Sequence, residues 1–409
     1  MKLPNDSNST GRDLGKEEIA LLKEVIESGT LNATKGTMVK KLVKEFAEEC
    51  GVRFAHATTS GTSSLHTAIA AVNPDPGDEI ISTPITDMGG ITPILYQNAI
   101  PIFADTDPVT LNITADTIRP KITKRTKAII VVHLFGKPAE MDPIMDLARE
   151  HKIPVIEDCC QAYFATYKGK NVGTIGDIGC FSLQQGKHMT TGEGGIIITK
   201  DAALERRIRL FIDKAWGYGD PNPDHYFLAL NYRMTDLQGA VALAQLRKVR
   251  GVVKRRQDTA KLLTERLRGT PGITLPESTK DSEHVFWKYA LIVDTDLFGV
   301  GVTEISKVLK EKDIFSVPRY IQKPAFMCKV LKDKVTYGKS HCPYDCSSRK
   351  GEKEVVYDTA EYPGTMKALE QVLVLPWNEF YTTEHVDYIA KNIKEVTESF
   401  LNKKKQGVR

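Results

Sequence analysis

Three stretches of the chain carry reactive side chains at the ends of apolar runs. Gly179 to Gly195 reads GCFSLQQGKHMTTGEGG. A short apolar strand, Cys180-Phe181-Ser182-Leu183, leads into a polar turn with one lysine, Lys187, and a Gly-rich return into Ile196-Ile197-Ile198-Thr199. An amine on such a turn could face a pocket; a solvated loop lysine is the plainer alternative. Val155-Ile156-Glu157-Asp158 ends an apolar strand on an acid, either a helix N-cap or a pocket carboxylate. Further upstream, Phe54 to Thr59 is followed by Ser60-Gly61-Thr62-Ser63 and the Ala-rich LHTAIAAV. Free backbone N–H groups at such a strand-to-helix turn, with the Thr62 and Ser63 hydroxyls, would hold an anion. Ser and Thr also cap helices with no ligand present.

The elements that must position these groups alternate. EIISTP, IPIFAD, KAIIVVHLFG and IPVIED are near-continuous apolar strands, with helical segments such as PAEMDPIMDLAREHK between several of them. That pattern predicts an α/β domain whose sheet is covered on both faces, with ligands at the carboxyl ends of its strands. Asp158 then stands where a pocket would be. Upstream, KEEIALLKEVIES predicts a helix with Ile19, Leu22, Val25 and Ile26 on one face. Downstream, HVFWKYALIVD, VTEISKVLKEKDI, VLVLPWNE and TEHVDYIAKNIKEVTESF predict a smaller α+β domain. The expected division is a disordered arm at 1–14, a large domain at 15–261 and a small one at 262–409. A long polar loop at 328–364 would be a substrate cover or a disordered insert.

Composition bounds the function. With 409 residues, 41% hydrophobic and 26% charged, the chain is an ordinary globular protein, and a net charge of +4 is too mild for a nucleic-acid footprint. Seven cysteines, with Cys159 and Cys160 adjacent, fit a reducing compartment better than a disulfide framework. His341, Cys342 and Cys346 lack a second ligand pair at zinc spacing and read as a surface loop, so no metal is expected. No apolar run approaches a membrane span, and the opening MKLPNDSNSTGRD has no signal core, so the expectation is a cytoplasmic protein without a membrane partner.

An anion cradle at Gly61-Thr62, an acid at Asp158, a lysine at Lys187 and Ser182 five residues before it together suit pyridoxal 5′-phosphate. That cofactor needs a phosphate site, a carboxylate for its pyridine nitrogen and an amine for a Schiff base. The chain resembles the DegT/StrS-type sugar aminotransferase family. The matching pieces are TTSGTSSLHTAIAA, AIPIFADTDPVTLNI, KAIIVVHLFGKPAEMD, VIEDCCQAY, CFSLQQGKHMTTGEGG, LNYRMTDLQGAVALAQL and VLVLPWNE. They stand in the family's order from about Gly15 to Thr397.

The resemblance implies a fold-type-I architecture, with a mostly parallel seven-stranded sheet sandwiched by helices beside a smaller α+β domain. It implies that Lys187 forms the internal aldimine, that Asp158 pairs with the pyridine nitrogen and that Gln161 lies near the phenolic oxygen. Thr62 and Ser182 match phosphate ligands, with Gly61 and its neighbour Ser63 in the backbone cradle. Asn231 matches an asparagine reaching the phosphate from a neighbouring subunit, hence a homodimer. Glutamate or glutamine would be the amino donor and a keto sugar the acceptor.

Two segments depart from the pattern. Asp87 stands where an aromatic residue commonly stacks on the ring in the family, so either Met88 covers the ring instead or the loop is shifted. The loop WGYGDPNPDHYF also differs, and Trp216, His225 and Tyr226 either read the acceptor or pack the loop. A sugar dehydratase with histidine in place of the lysine is the alternative on this scaffold, because His188 adjoins Lys187. A cofactor-binding regulatory subunit without turnover is the alternative outside catalysis.

Overall fold

The computed structural model describes residues 1–407. Its larger sheet has seven strands: β1 (Phe54–Thr58), β2 (Glu79–Ser82), β3 (Ile100–Phe103), β4 (Thr126–Val132), β5 (Val155–Asp158), β6 (Ile178–Ser182) and β7 (Gly195–Thr199). They run in the order β1-β7-β6-β5-β4-β2-β3. Only β7 is antiparallel to its neighbours, β1 and β6; the other pairings are parallel. Every residue of β2, β5, β6 and β7 is buried, because helices cover both faces, and this is why the strands read as continuous apolar runs.

The register gathers the reactive ends. Thr58 and Ser182 both pair with Gly195, from opposite sides, and Asp158 pairs with both Cys180 and Val132. The carboxyl ends of β1, β4, β5 and β6 therefore open on one edge of the sheet, where a doubly covered sheet leaves room for a ligand.

A 32-residue helix, Asp236–Leu267, links this sheet to a second, four-stranded one made from Ile273–Thr274, Lys288–Val293, Val372–Pro376 and Val317–Pro318. The expected boundary at 261/262 thus falls within a continuous helix. Helices Val302–Glu311 and Thr383–Lys405 cover the second sheet around Tyr289, Leu291 and Trp377. Among the described residues no helix is long and apolar enough to cross a membrane.

Three expectations are corrected. Helix Lys16–Ser28 buries Val25 and half-buries Leu22 but leaves Ile19 (67%) and Ile26 (61%) exposed, because Glu18 turns inward to Gln245 and Lys248 on the long helix. Residues 1–14 are not a disordered arm. Asp6 lies among Arg12, Arg256 and Lys288, and Gly11 packs so closely that a Cβ would fall 2.5 Å from the Asn5 carbonyl. Its polar composition suggested disorder because the compensating charges lie far away in sequence.

The 328–364 segment is neither a disordered insert nor part of the cavity wall described below. It closes the outer edge of the larger sheet at β3: the Tyr357 hydroxyl donates to the Pro101 carbonyl (2.7 Å), and Arg349 pairs with Glu79 (3.0 Å). A covered edge cannot recruit another strand.

Candidate active site

The shared edge of β1, β5 and β6 forms one wall of a cavity of about 340 Å³. At the β1 end, helix Gly61–Val72 opens with a reciprocal cap. The Ser63 N–H donates to Ser60 Oγ (3.0 Å), and the Ser60 N–H donates to Ser63 Oγ (2.8 Å). Ser63 is consumed by this cap, is buried, and does not reach the cavity; the expectation that it holds the cofactor is corrected on that ground. The first intrahelical backbone bond runs from Ser64 N–H to Ser60 (3.0 Å), so the Gly61 and Thr62 amides face the cavity at the positive helix end. Ser182, at the end of β6, lines the same wall. A Cβ on Gly61 would stand 2.6 Å from Ser182 Cβ and 3.0 Å from Cys160 Sγ, so only glycine lets the two strand ends close up.

Asp158 ends β5, and its Oδ1 accepts the Cys160 N–H (3.0 Å). Gln161 Oε1 accepts the Phe135 N–H (2.8 Å), which leaves its amide nitrogen 3.4 Å from the Tyr320 hydroxyl. Both side chains line the cavity. Lys187 does too. Its N–H donates to the Gln184 carbonyl (2.9 Å), and its Nζ sits 4.0 Å from the centre of the Trp287 ring. Burial pulls the amine below the usual lysine range, against the opposing pull of Cys160, Asp158 and Asp87, which favour the charged form.

His188 points the other way, buried beside Tyr163, with Nε2 3.0 Å from the Val285 carbonyl. The lysine, not the histidine, faces the cavity.

Other expected residues are placed elsewhere. Asn231 is exposed, with Oδ1 accepting the Arg233 N–H (3.2 Å), and does not line this chain's own cavity. Met88 packs against the cluster that holds Ile91, Leu95 and Phe103 and does not line the cavity, whereas Asp87 does. Trp216 and His225 pack on each other (4.9 Å), and Tyr226 donates to Asp220 (2.7 Å), all within their own loop. Sequence reasoning missed Trp287 and Tyr320, which line the cavity from the second sheet's side. Trp287 had a weak signal as an aromatic just before a strand; Tyr320 had none.

Among the described residues one buried cluster has metal-ligand types, His133, Glu157 and Cys159. Its hydrogen bonds are already filled: the Ala139 N–H donates to His133 Nδ1 (3.1 Å), His133 Nε2 donates to Glu157 (3.0 Å), and Glu157 accepts the Ile175 and Gly176 N–H groups. It is a packing cluster.

A sequence profile of the DegT/DnrJ/EryC1/StrS aminotransferase family matches residues 12–351. The chain belongs to this family. The GDP-perosamine synthase of Caulobacter vibrioides is 38% identical over 286 residues, covering 69% of this chain and 75% of that protein. The spore coat polysaccharide biosynthesis protein SpsC of Bacillus subtilis is 32% identical over 397 residues, covering 94% and 95%. A putative L-glutamine:3-amino-2,3-dideoxy-scyllo-inosose aminotransferase of Micromonospora echinospora is 36% identical over 258 residues, 62% of each chain. Among solved structures, the aminotransferase from Psychrobacter cryohalolentis superposes with a TM-score of 0.84 at 27% identity, covering 95% of this chain and 98% of that one.

The protein is therefore a fold-type-I aminotransferase, and its cofactor is pyridoxal 5′-phosphate. The cavity fits that group. It offers amides and hydroxyls for a phosphate, a carboxylate, and an amine of lowered basicity within one enclosure. The tight approach at Gly61 gives a test. Overpacking costs about 1–3 kcal/mol, so Gly61→Ala, which forces the strand ends apart beneath the phosphate cradle, is expected to weaken cofactor binding by roughly tenfold or more and to lower the melting temperature of the apoprotein by a few degrees. Fluorescence titration with the cofactor reads the first and calorimetry the second.

Proposed function

We propose that this aminotransferase moves an amino group from glutamate or glutamine to a keto sugar, with Lys187 as the lysine that bonds the cofactor. The observation that carries the proposal is the amine of Lys187, lowered in basicity by burial and sharing one cavity with Asp158, Gln161 and the Gly61-Thr62 amides. The sugar acceptor is supported by the names of the relatives, which make or modify sugars and an inosose. A nucleotide-linked sugar, a sugar phosphate and a cyclitol-type ketone all belong to the proposed class.

When bound, the cofactor supplies a carbonyl for amine exchange and a ring that takes up the charge left at the substrate carbon. The chain's residues do the rest. The Gly61 and Thr62 amides, with the Thr62 and Ser182 hydroxyls, hold the phosphate. The Asp158 carboxylate, fixed by the Cys160 amide, favours a proton on a ring nitrogen beside it. Gln161, anchored on Phe135, orients toward the phenolic oxygen. Lys187, as a neutral amine, would take up and return the proton at the substrate carbon. Trp287 and Tyr320 shield this exchange from water. Asn231, exposed on its own chain, would reach the phosphate of a second copy, making the working unit a cytoplasmic homodimer with shared sites.

The proposal is tested with the holoenzyme, glutamate and glutamine as donors, and a panel of keto sugars and inososes, read by mass spectrometry. The expected result is an amino sugar together with the 2-oxo acid of the donor. Loss of water from the sugar without nitrogen gain would favour the dehydratase, and no cofactor conversion by either donor would favour a non-catalytic subunit.

A further inference from the structure

The last three residues of the turn that ends on Lys187 are gripped from outside the larger sheet. Gln185 Nε2 donates to the Asp6 carbonyl (3.0 Å), Trp287 Nε1 donates to the Gly186 carbonyl (2.7 Å), and Arg12 Nη1 donates to the Lys187 carbonyl (2.7 Å). Two of these three partners lie in residues 6–12. Arg12 is almost wholly buried, at 5% exposure; its Nε donates to the Asp6 carbonyl (3.2 Å), and its Nη2 stands in ion-pair range of the Asp6 carboxylate (2.9 Å) without a hydrogen bond.

Asp6 is anchored in turn. Its carboxylate lies 3.4 Å from Arg256 and 3.5 Å from Lys288, and Asn378 donates to it. Burial alone would raise the Asp6 pKa, but Arg256, Lys288 and Arg12 outweigh it and hold it below the usual carboxylate range. Arg256 is itself buried against Glu379 (2.7 Å) and donates to the Trp287 carbonyl (3.2 Å). Residues 6–12 are thus a strap with one end on the reactive lysine's main chain and the other on the second sheet's charged core. A strap that served only to cover surface would need neither a buried guanidinium nor a carbonyl of that one residue.

We propose that Arg12 is a positioning residue for Lys187: it fixes the lysine's backbone so that the amine is held at the cavity. The inference rests on Lys187 being the lysine that bonds the cofactor. Arginine suits this place because two hydrogen-bonded carbonyls, of Asp6 and Lys187, and the Asp6 carboxylate diverge around one planar fork, which an ammonium on a single flexible stem cannot span. Displacing a reacting group by about 1 Å can cost roughly 10²-fold, and that is the scale of effect at issue.

The test separates the lysine from the rest of the site. Full-length apoprotein is mixed with pyridoxal 5′-phosphate, reduced with borohydride at timed intervals, and the label at Lys187 is quantified by peptide mass spectrometry. In parallel, the affinity for pyridoxamine 5′-phosphate, which cannot bond the lysine, is measured by fluorescence. Arg12→Lys and Arg12→Ala are expected to slow labelling of Lys187 by roughly 10- to 100-fold while keeping pyridoxamine 5′-phosphate affinity within about twofold of wild type. Should Arg12→Ala fail to fold, Arg12→Lys, which keeps the charge beside Asp6, decides on the same criteria. Labelling of Arg12→Lys at the wild-type rate would overturn the inference, as would a parallel loss of both ligands. Wild-type label on another lysine would overturn the assignment of Lys187 itself, a result that the Arg12 variants cannot mimic.

Discussion

Lys187→Ala is expected to abolish the visible absorbance of the covalently held cofactor and to stop amine exchange with glutamate or glutamine. The proton transfer at the substrate carbon alone is worth roughly 10²–10⁴-fold, and the loss here includes that step. The argument is one of neighbours. Lys187 is the lysine lining the cavity that also holds Asp158, Gln161 and the Gly61-Thr62 amides, and burial lowers its basicity despite three nearby groups that favour its charged form. His188 cannot substitute, because its ring is buried against the Val285 carbonyl. The variant should still bind pyridoxal 5′-phosphate through Gly61, Thr62 and Ser182, more weakly but without a change in fold. Absorbance spectra and a donor half-reaction, set beside a thermal melt, check all three points.

Glu379→Ala is expected to give the largest loss of stability. Arg256 has no exposed surface, and its Nε and Nη2 both lie on Glu379 Oε2, at 2.9 and 2.7 Å. The next anion, Asp6, is 3.4 Å away and already shared with Arg12 and Lys288. Removing Glu379 leaves a buried cation under-compensated, which costs about 3–5 kcal/mol. The melting temperature should fall by roughly 5–10 °C, and trypsin should gain access to the strap at Arg12. Glu379→Gln keeps an acceptor for the guanidinium and should lose less. A melt of Glu379→Ala within about 2 °C of wild type would mean that Asp6 alone suffices for Arg256.

What was legible in the sequence was local. Apolar runs that end on a polar residue marked β5 and β6, and their carboxyl ends do carry Asp158 and Ser182 to the cavity. The Ser-Gly-Thr-Ser turn marked a helix start, but a capping serine and a ligand serine look identical in sequence. Ser60 and Ser63 turned out to bond each other. Helical periodicity alone could not decide which face of Lys16–Ser28 packs, because a buried Glu18 with Lys248 as partner outweighs two apolar side chains.

The groups that were missed all arrive through tertiary placement. Arg12 meets Lys187 across 175 residues of sequence, and Trp287 meets Gly186 across 101. No spacing rule spans such distances. The 328–364 segment read as loop because it is polar, yet its scattered aromatics include Tyr357 and Tyr344, which are bonded to each other (3.2 Å) as they seal the edge at β3.

The most direct test of the account is peptide mapping of the purified holoenzyme after borohydride reduction. The predicted result is a single phosphopyridoxyl label, on the tryptic peptide that contains Lys187, and its disappearance when glutamate or glutamine is added before reduction. A label on a different lysine, or one on Lys187 that neither donor removes, would contradict it.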